Sequence, residues 1–248
     1  MDRIERSKEK FEELFRNIDV PAFSTDPDFK EIKNRFIFGE VYFHGSLSDR
    51  QRELIIIVVL ATNQTLLQLR EHVGVALNVG LSPVEIKEAI YQCAPYIGFP
   101  KALNALVQAN EVFVERNIAL PLESQTQVNE DNRHEKGVEL REAIFGARTH
   151  QLIQNAPENQ KHIQDYLSGF CFGEIYSRSG LDIKTRELLT LCILSALGGC
   201  ENQLKSHIQG NLNVGNDKDL MIEAITQCTP YMGFPRTLNA LNCVNDQG

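Results

Sequence analysis

No Cys-x-x-C pair occurs among the six cysteines (Cys93, Cys171, Cys192, Cys200, Cys228 and Cys243), and none shows zinc-site spacing. That excludes a dense secreted disulfide framework and a small zinc module, so the thiols are expected to be reduced. There is no long Lys/Arg block either. With 25 basic against 33 acidic residues the formal charge is -8, and the phosphates of a nucleic acid would be repelled. The longest apolar run, LIIIVVLA at 54–61, is far short of the roughly 20 residues a membrane helix needs. The stretch MDRIERSKEKFEELF is charged from its second residue and lacks the apolar segment of a secretory signal. A cytoplasmic protein with neither nucleic acid nor membrane as partner is the expectation. Gly-rich phosphate loops, metal-ligand clusters and flavin signatures are missing as well, so neither a metal nor a tightly bound cofactor is expected.

What is present is a sentence written twice. CAPYIGFPKALNAL begins at Cys93 and CTPYMGFPRTLNAL at Cys228, and residues 68–106 align without gaps on 203–241 with 21 of 39 positions identical. Upstream the register shifts by one, pairing FGEVY at 38–42 with FGEIY at 172–176 and REL at 52–54 with REL at 186–188. The chain is an internal duplication. LPLESQTQVNEDNRHEKG, residues 120–137, is polar and reads as a linker between a first repeat at 1–119 and a second at 138–248.

Both repeats read as helical. SPVE at 82–85 puts Ser at the N-cap, Pro at the first helical position and Glu at the third, a capping box. The β-branched run after Ser48 could pass for a buried strand. Its counterpart RELLTLCILSAL carries Leu and Ala, so both copies are assigned to helix. Gly-Phe-Pro at 98–100 and 233–235 marks a corner between two helices. The Tyr, Phe and Leu of that corner are expected in the core, and Cys93 and Cys228 as small buried hydrophobes.

The chemistry concentrates in GCENQLKSHIQGNLNVG, residues 199–215. On a continuous helix Cys200, Gln203 and His207 share one stripe. His72 and Gln68 repeat the pair, with Thr65 where the second copy has Cys200. A satisfied core histidine is the structural alternative. Glu40 and Glu174 recur in FGE and are either site groups or ion-pair partners, while Glu53 and Glu187 follow arginines that could simply pair with them at the surface.

These blocks resemble the carboxymuconolactone decarboxylase family of the AhpD-like superfamily, over nearly all of both halves, in a tandem-fused form. The resemblance implies an all-α fold of two repeats packed as an internal pseudo-dimer, and a ring completed by three fused chains, a homo-oligomer. AhpD-type members carry C-x-x-C-x-x-x-H with a Glu on the preceding helix. Here Cys200 and His207 match, Gln203 stands in place of the second cysteine, and Glu187 falls near the relay position. Decarboxylase-type chemistry would use His207 as proton donor to a small carboxylate or carbonyl substrate, with Arg178 of IYSRSG as the carboxylate anchor; the first copy has His44 there. The alternatives are a thiol-dependent peroxidase at Cys200, which would need an external thiol reductant, and a non-catalytic small-molecule-binding protein.

Overall fold

The structure, a computed structural model, describes residues 2–20 and 24–246. All of its regular elements among the described residues are helices. The first repeat comprises α1 (Arg3–Leu14), α2 (Pro27–Gly39), α3 (Asp49–Asn63), α4 (Leu66–Asn78), α5 (Pro83–Ile97) and α6 (Phe99–Glu115). The second comprises α7 (Arg133–Phe145), α8 (Arg148–Gln154), α9 (Lys161–Tyr166) running into a π-helical turn (Leu167–Tyr176), α10 (Ile183–Leu197), α11 (Glu201–Val214), α12 (Lys218–Met232) and α13 (Phe234–Asn245).

The local signals act as expected. Ser82 accepts from the Glu85 amide while Glu85 reaches back to the Ser82 amide, and Ser48 and Gln51 form the same box at the start of α3. Gly98 and Gly233 turn the corners at φ 82°, a left-handed value that a side chain would resist. The β-branched run of α3 is helical because burial overrides propensity: Leu54 through Thr62 are all buried, as are Arg186 through Ala196 of α10. These two helices pack on each other as the centre of the molecule.

The repeats exchange partners around that centre. α5 packs on α10 as well as α3, and α12 packs on α3 as well as α10. Two buried arginines seal the exchange. Arg186, with no exposed surface, donates to Gln92 Oε1 at 3.0 Å and Glu88 Oε2 at 2.9 Å on α5, and Arg52 donates to Gln227 Oε1 at 2.6 Å on α12. The REL arginines are therefore inter-repeat ties, not members of surface pairs with the glutamates beside them.

α7 begins at Arg133, inside the stretch that the sequence suggests is linker. It repeats α1 at a third register, 130 residues on (133 − 3), with RIERSKEKFEELF matching RHEKGVELREAIF at Arg, Glu, Glu, Glu and Phe. The two FG glycines exist for these helices: a Cβ on Gly39 would strike the Arg3 carbonyl, and one on Gly173 the Arg133 carbonyl.

One expectation fails. Phe99 and Leu103 are each 58% exposed, and Phe234 and Leu238 are exposed likewise, so only part of the repeated corner is core. The buried stripe of α6 is taken by Ala102, Ala105 and Ala109, which let the helix approach its neighbours closely and turn the large side chains outward.

Candidate active site

Glu187 lies one turn into α10, whose start is held by Asp182 accepting from the Thr185 amide. From α11, His207 Nδ1 meets Glu187 Oε2 at 2.9 Å and Oε1 at 3.2 Å. The Asn211 amide donates to the backbone carbonyls of Glu187 (3.0 Å) and His207 (2.8 Å), fixing the two helices to each other at this level. Tyr176, at the end of the π-helical turn, donates its hydroxyl to Glu187 Oε1 at 2.8 Å. Phe145 and Tyr96 hold the imidazole edge-on, with ring centroids 5.3 and 5.8 Å away.

Because a carboxylate only accepts, the neutral imidazole carries its proton on Nδ1 and leaves Nε2 for the space beyond. That space is a cavity of about 430 Å³ lined by His207, Gln203, Arg141, Tyr96, Phe145 and Phe172, among others. Arg141 is 5% exposed and donates to the Ser168 hydroxyl and Gln164 Oε1, each at 2.8 Å. No carboxylate among the described residues pairs with it. Burial lowers its pKa from the usual arginine value, yet a guanidinium stays charged. Cys171, also on the wall, has its thiol pushed up to about 12 by burial.

The first repeat keeps the dyad and packs aromatic rings against it. His72 Nδ1 lies 2.8 Å from Glu53 Oε2, and Tyr42 donates to the same carboxylate. Phe11 occupies the position of Arg141. It stacks on Phe15 at 4.6 Å, and Phe15 presses edge-on against His72 and Phe38. Tyr231 of α12 covers His72 as Tyr96 covers His207, at 5.6 Å.

The other sequence candidates scatter. Cys200 does not face His207: α11 starts at Glu201, leaving Cys200 as the N-cap at φ −132°, and its thiol donates to the Leu194 carbonyl at 3.3 Å in a crevice beside Arg236. Burial raises its pKa, with Glu201 adding to the effect, opposite to the lowering an imidazolium would cause. Arg178 is engaged by Glu88 of the first repeat at 2.9 Å and lines a separate shallow pocket with Gln125 of the interrepeat segment. Glu40 pairs with Arg3 at the surface, and Glu174 and Gln68 sit half-buried outside the cavity lining. Gln203 does line it. Residue pattern does not single out Arg141, Tyr96 or Tyr176, whereas the alignment of α1 on α7 exposes the Phe11/Arg141 difference.

Cys200 is the one cysteine that is not buried, so accessibility should make it the fastest of the six to alkylate. With its pKa raised, the rate should keep climbing past pH 9, and His207→Ala should not change it. Peptide-mapped iodoacetamide kinetics check this: a plateau near neutrality that His207→Ala abolishes would restore the thiol–imidazole pairing.

A tandem helical duplication with a His–Glu dyad opening on a cavity in one half defines the class. The profile of the Carboxymuconolactone decarboxylase family matches residues 27–111 and again 161–246. A 4-carboxymuconolactone decarboxylase from Acinetobacter baylyi is 32% identical over 120 residues, 48% of this chain and 89% of that protein. A nitrosuccinic acid decarboxylase from Metarhizium robertsii is 28% identical over 108 residues, 43% of this chain and 75% of that one. The chain belongs to the carboxymuconolactone decarboxylase family, as a tandem two-repeat, AhpD-like member.

Proposed function

We propose that this protein decarboxylates a small organic acid in the cavity of its second repeat, with Arg141 holding a carboxylate that is retained and His207 supplying the proton. The observation that carries this reading is the buried Arg141 guanidinium, without a carboxylate partner among the described residues, in the same cavity as His207. The departing carboxylate would lie against Phe145, Phe172 and Leu152, where loss of hydration favours the neutral product CO₂. As the C–C bond breaks, its electron pair passes to the α-carbon or an adjoining carbonyl. His207, having taken a second proton from solvent at Nε2, then delivers that proton to the centre and returns to the neutral Nδ1–H form, and Glu187 stabilises the imidazolium before the transfer. Two relatives whose names specify decarboxylation of small acids support the reaction type.

The test is CO₂ release from 4-carboxymuconolactone and nitrosuccinic acid by the purified chain. Turnover of either, abolished by His207→Ala, supports the reading. No release from either, together with no binding of succinate at millimolar concentration, overturns it.

The exposed rows Phe99/Leu103 and Phe234/Leu238 lie at equivalent places on the two repeats, which suits a closed ring of three copies. Sedimentation should give a mass near three chains, and Leu103→Glu with Leu238→Glu should lower it. A monomer at micromolar concentration contradicts the ring.

A further inference from the structure

Thr190, on the same face of α10 as Glu187, has no exposed surface and lies outside the cavity lining, yet it joins Gln92 of the first repeat to Tyr176, which bonds Glu187. Arg186 Nη1 donates to Gln92 Oε1 at 3.0 Å, which settles the orientation of that amide and turns Nε2 toward Thr190 Oγ1 at 3.1 Å. Thr190 thus accepts from Gln92, and its own proton goes to the Tyr176 oxygen at 2.8 Å. The Tyr96 hydroxyl stands 2.9 Å from the same oxygen. With both lone pairs of Tyr176 filled, its proton is committed to Glu187.

The first repeat shows the same chain cut at one link. Arg52 orients Gln227 just as Arg186 orients Gln92. Ile56 stands where the second repeat has Thr190, and among the described residues Gln227 Nε2, the counterpart of the Gln92 donor, and the hydroxyl of Tyr231, the counterpart of Tyr96, are buried without a partner. Two orphaned polar groups at the counterparts of Gln92 and Tyr96 mark a network that lacks a member.

We propose that Thr190 is a positioning residue: with the Tyr96 oxygen close enough to take the Tyr176 proton, Thr190 directs that proton onto Glu187 and so holds His207 in register, whereas Tyr42 donates to Glu53 with Ile56 beside it. The inference rests on the reading of His207 as proton donor. Without the Thr190 hydroxyl, Tyr176 can turn its proton to the Tyr96 oxygen, and Glu187 then holds His207 through a single partner.

Thr190→Val keeps the shape and removes the hydroxyl; Thr190→Ser keeps the hydroxyl. The valine variant is expected to lose about tenfold in kcat with KM within about twofold, because Thr190 acts through other groups and does not touch the substrate. Serine should recover most of the loss. A second readout needs no substrate: the downfield hydroxyl proton of Tyr176 in proton NMR, assigned by its disappearance in Tyr176→Phe, should persist with serine and shift or broaden with valine. If the wild type releases no CO₂ the functional reading fails, and the resonance alone decides the positioning role. Should the valine variant lose its helical circular dichroism, Thr190→Ala is read the same way. Unchanged kcat with an unchanged resonance, or a serine variant as impaired as valine, overturns the proposal.

Discussion

His207→Ala should lower turnover by about a hundredfold or more, the cost of removing a positioned proton-transfer group, while His72→Ala should leave it within about threefold. The two histidines look alike in isolation: each binds a buried glutamate through Nδ1, at 2.9 Å for His207 and 2.8 Å for His72. What separates them is the space beyond Nε2. Beside His207 it is a cavity holding a guanidinium, and beside His72 it is the Phe11–Phe15–Phe38 cluster. Steady-state kinetics on both variants, with circular dichroism to confirm intact helices, checks the asymmetry. Equal losses would place a working site in each repeat.

Arg141→Gln is expected to raise KM about thirtyfold or more with a smaller change in kcat. Breaking a buried, hydrogen-bonded charge pair costs about 2–5 kcal/mol, and about 1.4 kcal/mol is a tenfold change in affinity. A retained carboxylate is held equally in ground and transition state, so its anchor contributes mainly to KM. Arg141→Lys should fall between, since an ammonium keeps the charge and loses the two-pronged geometry. The control is Arg178→Gln. Because Arg178 is bound to Glu88 away from the cavity, its loss should act on stability more than on KM. A larger KM effect from Arg178→Gln than from Arg141→Gln would return the anchor to the IYSRSG arginine.

Repetition made much of the fold readable from residues alone. Two copies of the Gly-Phe-Pro corner and the capping box at Ser82 specify helices whose tertiary context the structure then supplies. His207 and Glu187 were also within reach, because the dyad joins groups 20 residues apart on consecutive helices. Arg178 and Cys200 misled for different physical reasons. The arginine's partner, Glu88, is 90 residues away in the other repeat, and no local spacing announces such a contact. The cysteine fell on the wrong side of a helix boundary by one residue, which turned a thiol expected on the His207 stripe into an N-cap facing elsewhere. Arg141 stayed hidden because the duplication continues through α1 and α7 in a register different from the rest. The corner's Phe99 and Leu103 point outward because alanines fill the packed stripe, a choice that composition does not reveal.

The most direct measurement is a crystal structure with succinate, a small dicarboxylate that the proposed chemistry leaves intact, soaked into the protein. One carboxylate should lie on the Arg141 guanidinium with the body of the ligand toward His207 Nε2, and the space beside His72 should remain filled by Phe11 and Phe15. Succinate bound against His72, or held at Arg178 with the second-repeat cavity empty, would contradict the assignment of the site to the second repeat.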